Sequence, residues 1–212
     1  MSVLQQARPS HYVDPLSPEA RLARVHVLIA DSNQKMRALV MDTLRVFGFR
    51  NLFGAEDGFE AMKLMRVHRI DLVITDWDLP LREDKGAAGA LRPHSAYKEW
   101  GIHVPESGAA YVRCVRSALR SPNPYVPVIM LTGPTLRNHL VYARDAGVNE
   151  MLLKPLNVRD LCDRIAAVIE KPRLFITSEG YRGPCRRRYK ASLPAGLLAE
   201  RRTRDIRIIR NR

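Results

Sequence analysis

Short apolar runs alternate with stretches of helical spacing along most of the chain. "VHVLIA" (25–30) is an almost unbroken apolar run, as expected of a strand covered on both faces. Asp31-Ser32 then signals a helix start. The following "QKMRALVMDTLRVFGF" sets Met36, Leu39, Val40, Leu44 and Phe47 on one helical face before a stop near Gly48. "NLFGA" reads as a short strand. "GFEAMKLMRVH" reads as a helix with Ala61, Leu64 and Met65 on one side. "DLVIT" predicts a third strand and "VPVIML" (126–131) a fourth. "TLRNHLVYARDAG" predicts a helix closing at Gly147, "EMLL" a strand, and "NVRDLCDRIAAVIE" a final helix. This alternation predicts an α/β fold: a doubly wound parallel sheet with helices on both faces and right-handed connections.

Such a sheet collects polar groups at the carboxyl ends of its strands. The predicted strands end at Asp31, Asp76 and Thr132, and the fifth stops just before Lys154. Two carboxylates, a hydroxyl and an ammonium are thereby expected on one rim. The stretch "DLVITDWDLP" (71–80) draws attention because a buried strand runs directly into Asp76-Trp77-Asp78.

At 212 residues the chain is long enough for one domain with a core, plus extensions. It has no run of about 18 apolar residues, so no membrane span is expected. The first residues lack an apolar segment of the secretory kind. Three widely spaced cysteines, Cys114, Cys162 and Cys185, suit reduced thiols and a cytoplasmic location. Charge changes the picture more. Residues 171–212 hold 13 Lys/Arg and 3 Asp/Glu, against 22 and 19 in the preceding 170 residues. The formal net charge of +13 therefore belongs mainly to the end of the chain. The expected organisation is a proline-bearing arm (1–23), a domain (24–170) and a basic C-terminal tail (171–212).

The pieces "VLIADSNQKMR", "AEDGFEAMKL", "DLVITDWDLP", "VPVIMLTG" and "AGVNEMLLKPLN" occur in an order and spacing that resemble response-regulator receiver domains of the CheY-like family. The resemblance covers 25 to about 170, apart from one insertion. It implies a flavodoxin-like five-stranded sheet in the order 2-1-3-4-5. It implies Asp76 as acceptor of a phosphoryl group from a sensor histidine kinase or phosphotransfer protein, with Lys154 and Thr132 assisting. It implies Mg²⁺ beside Asp31 and Asp76, and a cis Lys154-Pro155 bond. The physical logic agrees: an ionised carboxylate is a usable nucleophile, and a hard cation neutralises the oxygens of the transferred group.

Three departures qualify this. Ser32 stands where the family usually has a second acid, so the metal site is expected to be weakened. Asp78, two residues past Asp76, is a candidate for restoring that charge; the alternative is a turn-capping aspartate beside Pro80. An insertion of about 81–107 precedes the glycine expected to open the third helix, Gly108. It carries Trp100, a candidate partner-binding residue, along with His94 and His103. Met151 occupies a switch position, paired with Thr132, that is often aromatic.

The expected function is two-component signal transduction by a phosphorylation-dependent protein-binding response regulator, a signalling module rather than a metabolic enzyme. Arg186, Arg187 and Arg188 are further partner-binding candidates in the tail, where "LLAERRTRDIRIIR" is compatible with a basic amphipathic helix. The alternatives are a receiver controlling nucleic-acid binding through that tail, and a receiver fold that works without phosphate.

Overall fold

The computed structural model describes residues 18–80, 108–117, 121–133, 137–178, 181–186 and 207–209. A short helix α1 (Pro18–Leu22) leads into β1 (His26–Ala30). Strands β2 (Asn51–Ala55), β3 (Leu72–Asp76), β4 (Val128–Thr132) and β5 (Glu150–Leu153) follow. All five pair in parallel in the order β2-β1-β3-β4-β5, as the resemblance implied. Helices α2 (Gln34–Val46), α3 (Gly58–Val67), α4 (Gly108–Arg116), α5 (Arg137–Ala146) and α6 (Val158–Glu170) lie between and after them.

The alternation of side chains along each strand builds two cores. Leu28, Ala30, Val73, Val128 and Met130 face Ala61 and Met65 of α3, most of α4, and Ala143 of α5. Val27, Ile29, Leu72, Ile74, Ile129 and Leu131 face Val40 and Leu44 of α2 and Leu161, Ile165 and Val168 of α6. The α2 stripe is narrower than its spacing predicts. Leu39 and Phe47 are exposed, while Met36 and Met41 pack at the border of the buried pair.

Local signals set the helix ends. Asn33, rather than Asp31-Ser32, caps α2, accepting bonds from the amides of Lys35 (3.0 Å) and Met36 (3.2 Å). Asp57 caps α3 through the Glu60 amide (2.8 Å), and Asn157 caps α6 through the Arg159 amide (2.9 Å). Gly48 and Gly147 close α2 and α5 at φ +95° and +94°, a region costly for any residue with a Cβ.

Helix α4 is apolar almost all round and buried along nearly its whole length, from Gly108 to Arg116. Burial also pushes its Cys114 thiol up to about 12, leaving an unreactive thiol. The first residue of α4 is pressed onto the end of β3: the Gly108 amide donates to the Trp77 carbonyl (2.6 Å), and a Cβ here would overlap the Asp76 carbonyl. That obstacle is backbone and cannot swing aside. Gly108→Ala is expected to cost about 1–3 kcal/mol, read as a lower urea midpoint; a wild-type midpoint would contradict so close an approach.

The segment after residue 170 contains ordered structure docked on the body. Strands β6 (Phe175–Ser178), β7 (Tyr181–Pro184) and β8 (Arg207–Ile209) form an antiparallel sheet in the order β7-β6-β8. Residues 207–209 are therefore strand, correcting the helical reading of "DIRIIR"; β6 supplies a free edge to pair with. Phe175 is buried, Arg173 donates to the Asn149 carbonyl (3.0 Å), and Arg182 donates to the Arg116 carbonyl (3.2 Å). Arg186 pairs with Asp145 at 2.8 Å. These contacts put the β6–β7 hairpin at the amino-terminal base of the parallel sheet, opposite the rim formed by the strand carboxyl ends. Trp100, Arg187, Arg188, His94, His103 and residues 1–17 lie outside the described residues.

Candidate functional site

Parallel pairing aligns the ends of the central strands. Ala30 is opposite Thr75, Asp76 opposite Leu131, and Thr132 opposite Leu153. Hydrogen bonds carry this alignment one residue further: the Asp31 amide donates to the Ala55 carbonyl (3.1 Å), that of Trp77 to Leu131 (2.7 Å), and that of Lys154 to Thr132 (2.7 Å). Asp31, Asp76, Thr132 and Lys154 therefore meet on one rim, as the sequence predicts.

The Lys154 ammonium lies 2.8 Å from Asp76 Oδ1 and 3.1 Å from Asp31 Oδ2. Asp31 and Asp76 are both buried, and the lysine is mostly covered. Asp31 Oδ1 also accepts from the Asn33 amide at 2.8 Å, which explains why it does not cap α2 itself. Burial opposes the Lys154 charge, but the hydrogen bond and charge of Asp76, followed by those of Asp31, outweigh it and raise the ammonium above its ordinary value. Burial is also the main influence on Asp31; together with the charge of Asp76 it outweighs the Asn33 bond and Lys154, raising the carboxyl. The Arg37 guanidinium donates to the Asp31 carbonyl beside this cluster, and the two carboxylates supply the hard oxygen ligands that a further cation would use.

The bond Lys154-Pro155 is cis, as the resemblance implied. The Thr132 hydroxyl makes a 3.3 Å bond to the Gly133 carbonyl, longer than the usual O–H···O range. Met151 is partly buried and packs against the core shared by α3, α4 and α5.

The turn after β3 is pinned by Leu79, which is fully buried, and by the Gly58 amide donating to the Pro80 carbonyl (2.9 Å). Asp78 is exposed on that turn, and Ser32 is exposed after β1. Among the described residues no three His, Cys, Asp or Glu side chains gather as a metal-holding group. The acidic pair Asp31–Asp76 is what the rim offers a hard cation.

Three features were not foreseen from the sequence. His139 of α5 stacks on Trp77, with ring centroids 4.4 Å apart and planes 13° from parallel. Arg116, at the far end of α4, is a buried cation. The hairpin completes a groove of about 290 Å³ with α5, β5 and α6, whose lining includes Leu140, Arg144, Met151, Arg164, Arg173 and Arg186. An arginine ending the apolar run "GAAYVRCV" was the one available hint of the second feature. The other two depend on contacts distant in sequence.

No family model matches the chain. It is 28% identical over 145 residues to a chemotaxis protein CheY of Pseudomonas aeruginosa, covering 68% of this chain and 96% of that protein. It is 27% identical over 154 residues to the transcriptional regulatory protein PdtaR of Mycobacterium tuberculosis, covering 73% of this chain and 61% of that protein. Among solved structures it superposes on the receiver domain of a sensor histidine kinase from Pseudomonas aeruginosa, described with magnesium coordinated in its active-site cleft. The TM-score is 0.52 at 22% identity, over 69% of this chain and 98% of that one, a likeness of fold.

Proposed function

We infer that this chain, which carries a CheY-like response-regulator receiver domain, acts in two-component signal transduction by accepting a phosphoryl group on Asp76. The observation that carries the assignment to Asp76 is its place on the rim: a buried carboxylate at the end of the central strand, 2.8 Å from the Lys154 ammonium. In the transfer, an Asp76 oxygen attacks phosphorus. The P–N bond to a phosphohistidine breaks, and the leaving imidazole nitrogen takes the electron pair. Lys154 offsets charge on the phosphoryl oxygens as a point charge. The Thr132 hydroxyl, held only by a long bond, turns to donate to a phosphoryl oxygen. Exchange and hydrolysis at this one site are self-catalysed steps of a signalling cycle rather than metabolic turnover.

The residues fit Mg²⁺, with Asp31 and Asp76 as its holders and Asp78 contributing from the exposed turn. A cation there would neutralise phosphoryl charge. The fit is weakened by Ser32, which supplies no charge. Ser32→Asp is therefore expected to tighten Mg²⁺ binding roughly ten-fold, measured by calorimetric titration. An unchanged affinity would count against the view that Ser32 replaces a metal-binding acid.

Phosphorylation is read out through the Thr132–Met151 pair, which shifts the α5–β5 face between two states. With no ring at Met151, adjustment there is by thioether rotamer rather than by an aromatic flip. Leu140 and Leu153 are exposed on this face beside a groove whose arginines are paired with Glu150 and Asp145, so a downstream protein would meet apolar groups together with ion pairs. The docking of the β6–β7 hairpin engages Arg173, Arg182 and Arg186 with the body rather than leaving them to a free basic tail. Among the described residues no helix is long and apolar enough to cross a membrane.

A further inference from the structure

We propose that His139 is a positioning residue for the phosphoryl-transfer site, acting through Trp77; the inference rests on the receiver reading of Asp76. Trp77 follows Asp76 directly, and its backbone is clamped on both sides. Its amide donates to Leu131 of β4 (2.7 Å), and its carbonyl accepts from Gly108 of α4 (2.6 Å). The backbone that carries the indole is therefore fixed, and the ring can move only by rotation of its side chain. Part of the ring packs on the core shared by α3, α4 and α5. The His139 imidazole covers it in a nearly parallel stack, 4.4 Å between centroids and 13° between planes.

His139 lies in the first turn of α5, the helix that follows Thr132. The stack thus joins the turn after β3 to the helix after β4, and Asp76 and Thr132 stand at the ends of those two strands. The next three residues of α5, Leu140, Val141 and Tyr142, are exposed, so His139 is the one in this run that turns inward onto the rim. A helix gains nothing from histidine at such a position by propensity alone.

The chain places the stacked pair next to the acceptor on the α5 side, because Trp77 follows Asp76 and α5 follows Thr132. In hydrolysis of the acyl phosphate, water attacks phosphorus and the bond from phosphorus to the Asp76 oxygen breaks. The carboxylate keeps the electron pair, the water's proton passes to solvent, and inorganic phosphate leaves. With the indole fixed by His139, water has fewer lines of approach to phosphorus. With the stack lost, the indole is free to swing and the approach opens.

The test uses the full chain bearing Trp100→Phe, which leaves Trp77 as its only tryptophan. The protein is labelled by a small phosphodonor with Mg²⁺, the donor is removed, and loss of label is timed. His139→Ala is expected to shorten the half-life of the label by about 2- to 10-fold and to increase quenching of Trp77 fluorescence by iodide. His139→Phe, which retains a stacking ring, is expected to keep both close to the parent. A half-life unchanged in the alanine variant, or shortened equally in the phenylalanine variant, overturns the proposal. Should the alanine variant fail to fold, His139→Gln takes its place under the same criteria. A parent chain that takes no label, or a label that survives Asp76→Asn, strikes instead at the receiver reading.

Discussion

Asp76→Asn is expected to abolish labelling of the full chain by a small phosphodonor with Mg²⁺, while the wild-type protein is expected to gain one phosphoryl group, followed by intact mass spectrometry. The amide has the same shape as the carboxylate but lacks the charge and lone-pair reactivity of the nucleophile, so the effect is total rather than graded. The fold should survive. Asp31 remains to hold Lys154 at 3.1 Å, and the main-chain bonds at this rim do not use the Asp76 side chain. Matching circular dichroism of the two proteins separates loss of chemistry from loss of structure. Label retained by a folded Asn variant would move the acceptor elsewhere and end the assignment. A wild-type chain that takes no label under saturating Mg²⁺ would favour the phosphate-independent reading that Ser32 raises.

The largest effect on stability is expected at the opposite end of the sheet. Arg116 is 4% exposed, yet its guanidinium donates to five oxygen contacts. Nε and Nη2 reach the Gly147 carbonyl (3.0 and 2.9 Å). Nη1 reaches those of Pro124 (2.9 Å) and Val126 (2.7 Å), and Nη2 reaches Asn149 Oδ1 (3.1 Å). The Phe175 ring lies 5.0 Å from the guanidinium carbon. No carboxylate is among these partners. Burial lowers Arg116 to about 9, which leaves it protonated at neutral pH. Its charge is thus offset by main-chain dipoles and one aromatic face, at the junction of α4, the β4 and β5 starts, and the hairpin.

Arg116→Met keeps a long apolar stem but orphans several carbonyl oxygens in a buried setting. Each buried acceptor left without a donor is costly, and broken buried charge networks typically lose about 3–5 kcal/mol. Urea unfolding should show that loss as a lower midpoint. Hydrogen exchange should rise first in β6 and β7, because the guanidinium that covers Phe175 is lost. Arg116→Lys should recover little, since an ammonium cannot reproduce the planar fork. A loss below about 1 kcal/mol, within the range of an ordinary surface change, would show that the arginine is not a clasp.

Much of the rim cluster was legible because its ingredients are local. Each strand is a run whose two faces are both apolar, and the residue that follows is delivered to the rim by chain direction alone. The place of Asp76 at the strand end therefore reads correctly from "DLVITDWDLP". Asp31 reads less completely. Its position at a strand end was evident, but its apparent role as helix start passes to Asn33, because Asp31 is held by Lys154 and the Asn33 amide. Which residues of α2 are covered also depended on its neighbours: Leu39 fits the helical stripe, yet nothing is packed deeply over it.

The sequence by itself determined the alternating α/β order, the two-sided burial of the central strands, and the residues carried to their carboxyl ends. Those properties follow from the periodicity of side chains and from short-range capping. Only the tertiary structure decided that Arg116 is a buried clasp, that part of the basic C-terminal segment docks as a hairpin, and that His139 covers Trp77. The stack joins residues 62 positions apart, and Arg116 bonds to Gly147, 31 positions away. Such contacts depend on which groups the folded chain removes from water together, a balance of desolvation and pairing that no local pattern encodes.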